Sequence, residues 1–435
     1  MNHLHVALVH RREQPCLKRD EVVSSGADIL TLAESLAAWL QRSGTTSVLS
    51  EARDPRVLLA LLLLAEQQNL RIILARGAES AAQARTCLPV GSYIDGEGVF
   101  HALPRDDAAQ QPPESSTIHL FTSGTTGNPK IVEHALGTLL GRIGGRSLKK
   151  NEGARWLLTY EPHSFAGLQV VLSAVLSNGL LISSTRRDPA SAVKTATLSE
   201  ATHISATPTF WRAFLMAGAS GRTLPLRQIT LGGEAVDQAT LDRLAEAFPT
   251  ARIVHIFASS EAGALFSVRD GKAGFPAGWL NEPLEDGITL RLRNGVLEAL
   301  SPNRMKRYAS LQPTPSAEDG WLITGDLAEV RGDRVMFLGR ADRTVNVGGL
   351  KVCPEEIEEF LLGHPAVRDA RAFGVASPLV GQLLAAEIVL DPERDPAAAL
   401  MELRRFCASG LPPHKVPRRI EPVAQVRMAE SGKKG

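Results

Sequence analysis

Hydrophobic and polar positions in the first third of the chain follow two alternating periods. Over residues 30–40, apolar side chains recur three or four positions apart and stop before Gly44, which predicts an amphipathic helix that ends at a glycine. The apolar runs Ser47–Ser50 and 71–75 predict short buried strands, and the leucine-rich stretch 57–65 between them predicts a core helix. Helices that alternate with short apolar strands are typical of a parallel sheet.

The same alternation continues through the middle of the chain. Further strand patterns occur at 156–160, 202–207, 228–231 and 251–257. A β-rich part follows, in which two alternating runs flank Asn294-Gly295, a strong hairpin signal. The end of the chain combines two strand patterns and a helix, at 370–375, 384–390 and 397–407. These patterns predict an α/β protein with parallel-sheet subdomains, a small β-rich part and a small α+β domain at the carboxyl end.

Length and charge limit the classes of protein. A chain of 435 residues is too long for one hydrophobic core and fits two or three domains. The formal net charge of +1 creates no field that would attract nucleic acid or an anionic membrane, so we expect neither as a partner. The most apolar run, 57–65, has about half of the ~20 residues that a membrane-spanning helix needs.

The amino-terminal residues and the cysteines bear on location. Residues 1–12 lack the long apolar region and the small-residue cleavage site of a secretory signal. The 4 cysteines are scattered, without metal-ligand spacing and without the density of a disulfide scaffold. We therefore predict a cytoplasmic protein.

A segment rich in glycine and hydroxyl groups follows a strand pattern at 117–121 and carries the clearest chemical signal. Its residues are Thr122, Ser123, Gly124, Thr125, Thr126, Gly127, Asn128, Pro129 and Lys130. Glycine permits backbone angles that a Cβ forbids, hydroxyl and N–H groups can point at one anion, and the lysine adds positive charge. The segment predicts a phosphate-binding loop. It is not the P-loop of NTPases, because Pro129 precedes Lys130 and Ile131 follows it.

The pattern Thr-Ser-Gly-Thr-Thr-Gly-x-Pro-Lys resembles the signature loop of the adenylate-forming superfamily, which contains acyl- and aryl-CoA synthetases, adenylation domains of nonribosomal peptide synthetases and luciferases. Further motifs follow in the family's order, so the resemblance covers nearly the whole chain. It implies a large AMP-binding and acid-binding domain, residues 1–339, and a small mobile domain, residues 340–435. The chain reaches the loop early, so we expect an abbreviated amino-terminal region, and the family commonly continues a few residues past this carboxyl end.

A turn after the strand pattern 228–231 corresponds to the superfamily's purine pocket. The resemblance assigns Gly232, Gly233 and Glu234 to this pocket. Strand ends that open into glycine-rich turns are where open α/β sheets bind nucleotides, which agrees with the assignment. A plain turn before the next helix is the alternative.

The segment 255–261 looks like the family's Asn-x-Tyr-Gly-x-Thr-Glu element, with several replacements and with the glutamate kept. By this resemblance, Phe257 and Ala258 would contact the adenine, and Ser260 would offer a hydroxyl to the α-phosphate. Glu261 would bind magnesium, since a carboxylate is the hard oxygen ligand that this ion prefers.

Two motifs near the predicted domain boundary resemble the family's ribose and hinge elements. In the Thr-Gly-Asp motif, Asp326 would accept hydrogen bonds from the ribose hydroxyls. Arg340 would also reach the ribose, and Asp342 would be the pivot of the small domain. Gly349 would line the tunnel through which a thiol enters.

The turn after the strand pattern 156–160 corresponds to a wall of the acid-binding pocket in the superfamily. The resemblance makes His163, Phe165 and Gly167 candidates for substrate contact, together with Gly232, although a lone His or Phe at a strand end is as often structural. By the same resemblance, Pro162 stands where amino-acid-activating relatives have the aspartate that pairs with an α-ammonium. An unpaired buried charge is costly, which argues against an α-amino acid substrate and favours aryl or medium-sized apolar acids.

The last residues resemble the family's Ser-Gly-Lys motif, whose lysine bridges the substrate carboxylate and the α-phosphate. This role falls to Lys433. The glutamates of the helix predicted to begin at Pro354 favour the positive end of the helix dipole, and we assign them no catalytic role.

The resemblance implies an acid–thiol ligase that uses ATP and Mg²⁺. Lys130, Glu261 and Lys433 would be the catalytic residues. The enzyme would form an acyl- or aryl-adenylate and then a thioester with coenzyme A or with the phosphopantetheine of an acyl-carrier protein, as a monomer or homodimer. Two alternatives remain: a stand-alone adenylation enzyme whose acceptor is an amine or carrier protein, and a non-catalytic nucleotide-binding homologue.

Overall fold

The computed structural model describes residues 3–104, 107–122, 130–141, 143, 151–284, 287–309, 320–377, 381–428 and 434. Within these residues the helices are α1 (His3–His10), α2 (Gly26–Ser43), α3 (Pro55–Gln67), α4 (Ala78–Cys87), α5 (Asp107–Gln110), α6 (Leu136–Gly141), α7 (Phe165–Leu176), α8 (Pro189–Leu198), α9 (Pro208–Met216), α10 (Gln238–Ala247), α11 (Pro354–Leu362) and α12 (Pro396–Gly410). Two short 3₁₀ turns are Ala277–Trp279 and Ala341–Arg343. In this part of the chain, no helix has both the length and the apolar character needed to cross a bilayer.

The strands of the described residues have between 2 and 11 residues and belong to four sheets. In chain order they are β1 (Pro15–Arg19), β2 (Val22–Ser25), β3 (Ser47–Ser50), β4 (Arg71–Leu74), β5 (Ser92–Ile94), β6 (Phe100–Ala102), β7 (Thr117–Thr122), β8 (Lys130–Ala135), β9 (Arg155–Leu158), β10 (Leu180–Ser183), β11 (His203–Ala206), β12 (Gln228–Gly232), β13 (Arg252–Ser259), β14 (Gly263–Val268), β15 (Phe275–Pro276), β16 (Thr289–Arg293), β17 (Val296–Leu300), β18 (Arg307–Tyr308), β19 (Leu322–Arg331), β20 (Arg334–Arg340), β21 (Val345–Val347), β22 (Leu350–Val352), β23 (Val367–Ser377), β24 (Gly381–Leu390) and β25 (Arg419–Pro422).

Several helices begin with a polar cap followed by proline. The caps Asp54, Asp188, Thr207 and Asp395 each accept a hydrogen bond from a backbone N–H of the first turn. Proline fits the next position, because the first N–H groups of a helix have no intrahelical partner. Each such cap stabilises its helix by about 1 kcal/mol, so these starts are set locally by the sequence.

The largest sheet has eight strands in the order β14-β13-β12-β11-β9-β10-β1-β2. Its six inner strands run parallel, and β2 and β14 are antiparallel at the two edges. The strands that the sequence patterns predicted at 156–160, 202–207, 228–231 and 251–257 are all confirmed here, with ends shifted by one or two residues. The carboxyl ends of β9, β11, β12 and β13 therefore lie along one edge.

The second sheet has seven strands in the order β18-β8-β7-β4-β3-β5-β6. Helix α3 packs beside it, and residues 57–65 of this helix are buried, which confirms the predicted core helix. The two sheets meet at their carboxyl ends, because Nδ1 of His163, after β9, lies 2.8 Å from the carbonyl oxygen of Ala75, after β4. Such a meeting point of strand ends is a common place for a binding site.

The β-rich part is a five-stranded antiparallel sheet in the order β15-β20-β19-β17-β16. Asn294 and Gly295 have φ angles of 53° and 74°, as a tight hairpin requires, and they join β16 to β17. The predicted hairpin is therefore confirmed.

The carboxyl-terminal part has its own sheet, in the order β22-β21-β24-β23 with β25 paired to β24. Helices α11 and α12 pack on this sheet around a separate core that includes Ile357, Ile388 and Leu403. The predicted fold class, with a separate small α+β domain at the carboxyl end, is confirmed. Strand β20 ends at Arg340 and the Ala341–Arg343 turn follows, and the domain boundary between residues 339 and 340 stays a prediction.

Candidate active site

The predicted phosphate loop connects two paired strands. Strands β7 and β8 are antiparallel, and Thr122 is paired with Lys130 at the end of the hairpin that is joined by the loop. The Thr122 hydroxyl lies 3.5 Å from the Lys130 carbonyl oxygen. The loop itself, with Ser123, Gly124, Thr125, Thr126 and Gly127, lies outside the described residues. The strand pattern 117–121 correctly predicted the strand that leads to it.

Lys130 and Glu261, which are far apart in sequence, are brought together by a tyrosine. The Tyr308 hydroxyl donates to Oε1 of Glu261 at 3.1 Å, and Nζ of Lys130 lies 5.3 Å from the centroid of the Tyr308 ring. The position of Tyr308 follows from the pairing of β18 with β8. Burial, with the nearby Glu261 charge, raises the pKa of Tyr308, so its hydroxyl stays protonated and can donate.

The sequence analysis missed Tyr308. Its strand, β18, has only two residues and therefore no measurable period. The chain has only 3 tyrosines, which is the one sequence feature that could have drawn attention to it. The contact with Glu261 depends on strand pairing, which residue patterns do not encode.

Glu261 is suited to a magnesium ion that is held mainly by phosphate groups. It lies in the turn between β13 and β14 and is partly exposed. Among the described residues, no group of three His, Cys, Asp or Glu side chains could form a metal site. Nucleotide-bound Mg²⁺ typically takes only one or two protein carboxylates, so a single carboxylate beside a phosphate loop fits this ion.

The Gly232-Gly233-Glu234 turn lies at the carboxyl end of β12. The Tyr160 hydroxyl donates to the Gly232 carbonyl oxygen at 3.1 Å, and Gly233 has a φ of 86°, which favours glycine. The Glu234 carboxylate accepts from N and Oγ1 of Thr209 at 3.1 and 2.7 Å. This carboxylate binds the start of helix α9, and the predicted contact of Gly232, Gly233 and Glu234 with the purine stays a prediction.

Part of the segment 255–261 packs against the protein core. The Phe257 ring stacks on Phe266 and Phe337, at centroid distances of 5.3 and 4.7 Å. Ala258 lies in strand β13, and the Ser260 carbonyl oxygen is 2.7 Å from Nε2 of His134. The roles of Phe257, Ala258 and Ser260 toward the nucleotide stay predictions.

The predicted ribose residues form a pair across two strands. Asp326 on β19 is paired with Arg340 on β20, and NH1 of Arg340 lies 3.4 Å from Oδ1 of Asp326. NH2 of Arg340 lies 3.3 Å from Oδ2 of Asp342, the predicted pivot. A carboxylate held beside a guanidinium can accept hydrogen bonds from a diol, so the geometry suits the predicted role.

The predicted acid-pocket residues are packed into the interior. His163 is fully buried, and burial lowers its pKa, so the imidazole is neutral at neutral pH. Phe165 is buried against the ring of His134 at a centroid distance of 5.6 Å. A Cβ at Gly167 would clash with the Glu161 carbonyl oxygen. The structure thus gives these residues structural roles, and their contact with a substrate stays a prediction.

A basic cavity of about 300 Å³ lies beside the same turn and was not predicted. Its lining includes Arg19, Arg53, Arg187 and Glu161. Arg187 and Arg53 form ion pairs with Glu161, and Arg19 pairs with Asp54 at 2.8 Å. These contacts leave an excess of positive charge, which would disfavour an ammonium group there.

The carboxyl-terminal tail reaches the glycine-rich turn. Lys433 lies outside the described residues, but the backbone N–H of its neighbour Lys434 donates to Oε1 of Glu234 at 2.9 Å. Nζ of Lys434 forms an ion pair of 2.5 Å with Oε2 of Glu358 on helix α11. The dipole explanation therefore fits Glu355 and Glu356 in the first turn but is incomplete for Glu358.

Gly349 lies away from this tail contact. It belongs to the exposed turn between β21 and β22, has a φ of 89°, and donates its N–H to Oδ1 of Asn346 at 2.8 Å. Its role in a thiol tunnel stays a prediction.

Family models define the class of this protein. The model described as AMP-binding enzyme matches residues 21–285, and the model described as AMP-binding enzyme C-terminal domain matches residues 356–433. The chain therefore belongs to the AMP-binding enzyme family, which confirms the resemblance to adenylate-forming enzymes.

The chain is also similar to individual enzymes and to a solved structure. The chain is 28% identical over 326 residues to a probable 2-succinylbenzoate–CoA ligase of Mycobacterium tuberculosis, covering 72% of this chain and 81% of the relative. It is 22% identical over 427 residues to the 3,4-dihydroxybenzoate–[aryl-carrier protein] ligase of Bacillus anthracis, covering 96% of each. The crystal structure of the anthranilate CoA ligase AuaEII with anthranoyl-AMP superposes with a TM-score of 0.76 at 19% identity, over 99% of this chain and 95% of that one, and shows a shared fold.

Proposed function

We propose that this enzyme activates a carboxylic acid with ATP, releases pyrophosphate, and transfers the acyl group from the adenylate to the thiol of coenzyme A or of a carrier-protein phosphopantetheine. The observation that carries the proposal is the contact chain Lys130–Tyr308–Glu261 at the loop end of the β7–β8 hairpin. It sets a cation and a hard oxygen ligand beside one loop, as phosphate chemistry requires.

Charge explains what each residue would do. A carboxylate that attacks the α-phosphate is repelled by it until positive charge lies between them. Lys433 would supply this charge at the attacking acid, and Lys130 would stabilise the leaving pyrophosphate. Glu261 would hold Mg²⁺, which when bound neutralises phosphate oxygens. Asp326 and Arg340, 3.4 Å apart, would orient the ribose, and no side-chain nucleophile is needed.

The second step would require a domain rearrangement. The small domain would turn about Asp342, withdraw Lys433 from the adenylate and bring Gly349 to the thiol path. The exposed position of Gly349 and the contact of Lys434 with Glu234 support an arrangement suited to the first step.

We propose an aryl or medium-sized apolar acid as the substrate. Relatives named for 2-succinylbenzoate and 3,4-dihydroxybenzoate support an aryl acid. The excess of arginine in the cavity beside the acid-pocket turn argues against an ammonium-bearing substrate. The same relatives support coenzyme A and an aryl-carrier protein equally as the acceptor. The scattered, unpaired cysteines support a cytoplasmic location.

Pyrophosphate exchange tests the first step. The purified enzyme, Mg²⁺ and ATP are incubated with labelled pyrophosphate and a panel of benzoates, fatty acids and amino acids. We expect label in ATP with one or more benzoates, and none with a Lys130→Ala variant, whereas Lys194→Ala on the exposed face of α8 retains exchange. Failure of every acid to support exchange would contradict the proposal.

The acceptor is then identified with the active acid. Thioester formation is measured with coenzyme A, with a phosphopantetheine-bearing aryl-carrier protein and with simple amines. Product with an amine alone would favour the stand-alone adenylation enzyme instead.

A further inference from the structure

A buried arginine links the two domains. Arg212, on helix α9 of the large domain, donates through Nε to Oδ1 of Asp369 at 2.6 Å, and Asp369 lies on β23 of the small domain. NH1 of Arg212 also pairs with Asp237 at 3.1 Å within the large domain. Arg212 and Asp369 are 3% and 0% exposed, so this ion pair is closed to water. The two domains therefore meet at a buried pair of opposite charges and not only at apolar side chains.

The carboxyl-terminal tail makes a second link. The Lys434 backbone donates to Glu234 of the large domain at 2.9 Å, while Lys434 Nζ pairs with Glu358 of the small domain at 2.5 Å. Glu358 is only 8% exposed. The residue next to the predicted catalytic lysine is therefore held by both domains.

Hydrogen bonds connect the two links on each side of the boundary. In the large domain, NH2 of Arg212 donates to Oγ1 of Thr209 at 3.0 Å, and this hydroxyl donates to Glu234 at 2.7 Å. In the small domain, Glu358 accepts from the backbone N–H of Ala372 at 2.9 Å, on the same strand as Asp369. Arg212, Thr209, Glu234, Lys434, Glu358 and Asp369 are thus joined in a ring, which we term the interdomain clamp. Lys434 contributes both its backbone N–H and its Nζ to this ring, and the backbone of β23 connects Glu358 to Asp369.

A neighbouring arginine strengthens the same interface. Arg243, on α10, donates to the backbone carbonyl oxygens of Val367 and Arg368 at 2.7 and 3.1 Å. These contacts fix the start of β23 and hence the position of Asp369.

We propose that Arg212 is a positioning residue, which through the interdomain clamp holds the small domain and its tail residue Lys434 against the Gly232-Gly233-Glu234 turn. This proposal rests on the proposed function, and it assigns the clamped arrangement to adenylate formation. For thioester formation, the Arg212–Asp369 and Glu234–Lys434 contacts must break. A charged interface suits this exchange, because each group regains hydration when the domains part.

The clamp also gives Glu234 a specific task. Its two carboxylate oxygens bind Thr209 on one side and Lys434 on the other. The turn predicted to contact the purine is therefore the same turn that binds Lys434 of the tail. Nucleotide binding and the position of the small domain would then be coupled through this turn.

The first test measures domain position without any substrate. Dyes are attached to Lys194→Cys on α8 and Arg404→Cys on α12, in a Cys87→Ser background, since Cys87 is the exposed cysteine and Cys16, Cys353 and Cys407 are buried. Single-molecule energy transfer then gives the ratio of clamped to open molecules. We expect Asp369→Asn, which keeps the hydrogen-bonding shape but removes the charge, to lower this ratio about tenfold.

Arg368→Gln is the matched control. Its guanidinium, one residue from Asp369, pairs with Asp391 at 2.6 Å inside the small domain. This variant should leave the ratio unchanged. An unchanged ratio in Asp369→Asn, or an equal change in Arg368→Gln, would overturn the proposal.

The second test separates the two half-reactions. In Asp369→Asn, kcat/KM for pyrophosphate exchange should fall about tenfold, whereas thioester formation from a supplied acyl-adenylate should not fall. An equal loss of both would overturn the proposal. If none of the acids tested supports pyrophosphate exchange by the wild-type enzyme, the proposed function fails. The energy-transfer ratios still decide whether the interdomain clamp exists.

Thr209→Val provides an independent variant if Asp369→Asn does not fold. It removes only the hydroxyl that joins Arg212 to Glu234. We expect the same selective loss of exchange and of the clamped population, restored by Thr209→Ser. A valine variant with wild-type ratios and rates would contradict the ring of contacts.

Discussion

The nucleotide side and the acid side of the candidate site are built in different ways. On the nucleotide side, Lys130 and Arg340 lie at strand ends, Glu261 lies in a turn and Asp326 lies within β19, and all four are partly exposed. Tyr308 joins Lys130 to Glu261, and Asp326 pairs with Arg340. On the acid side, the turn 161–167 is packed into the interior and its residues are fixed by core contacts. Substitutions on the first side should therefore change chemistry, and substitutions on the second should change stability.

The largest expected effect on activity comes from a substitution in the carboxyl-terminal tail. In the proposed mechanism, this tail approaches the nucleotide side only while the interdomain clamp is formed. Lys433→Ala should lower pyrophosphate exchange by about a thousandfold, because it would remove the positive charge that we propose lies between the attacking acid and the α-phosphate. Thioester formation from a supplied adenylate should be largely retained. Exchange and single-turnover thioester assays measure the two steps, and equal loss of both would contradict the separation of roles.

A substitution on the acid side should instead damage the fold. In Gly167→Ala the new methyl group clashes with the Glu161 carbonyl oxygen, so we expect a loss of about 1–3 kcal/mol in the free energy of unfolding. Thermal and urea unfolding measure this change. Gly137→Ala is the control, because a Cβ at Gly137 meets no atom within 4 Å. An alanine at 167 with wild-type stability would show that the turn is less rigid than the structure indicates.

Tyr308→Phe tests the central contact of the nucleotide side. It removes the hydrogen bond to Glu261 but keeps the ring beside Lys130. We expect pyrophosphate exchange to fall about tenfold, which corresponds to ~1.4 kcal/mol of lost transition-state stabilisation. Thermal stability should change little, because the partly exposed Glu261 carboxylate regains hydration. A large loss of thermal stability with normal pyrophosphate exchange would show that the Tyr308 hydroxyl serves the fold and not the reaction.

The smallest expected effect is a pH dependence on the acid side. Burial lowers the pKa of His163 in the folded state, below the ordinary value of about 6.5 that the unfolded chain retains. The unfolded state therefore binds more protons below pH ~6.5, and stability falls as the pH decreases, by up to about 1.4 kcal/mol per pH unit. His163→Gln should lose stability less steeply than the wild type between about pH 6.5 and 5. Urea titrations across this range measure how the free energy of unfolding changes with pH. Identical slopes in the wild type and in His163→Gln would contradict a lowered pKa of His163 in the folded state.

Much of the fold could be predicted from local patterns. The helix that ends at Gly44, the core helix at 57–65 and the Asn294-Gly295 hairpin are set by nearby residues, so their periodicity and turn chemistry were sufficient. Asp326 and Arg340 were identified by motif resemblance, and strand pairing places them together. The resemblance did not reveal that His163 and Phe165 would be buried by a neighbouring sheet.

The sequence by itself determined the element types and the family, because these depend on residue order within short segments, and it predicted a phosphate-binding loop on the same basis. Only the tertiary structure decided which distant side chains meet. Tyr308 reaches Glu261 through the pairing of β18 with β8, and Arg212 reaches Asp369 through the docking of the small domain. Such contacts depend on the relative placement of whole elements, which is fixed by packing between sheets and domains and leaves no periodic trace along the chain.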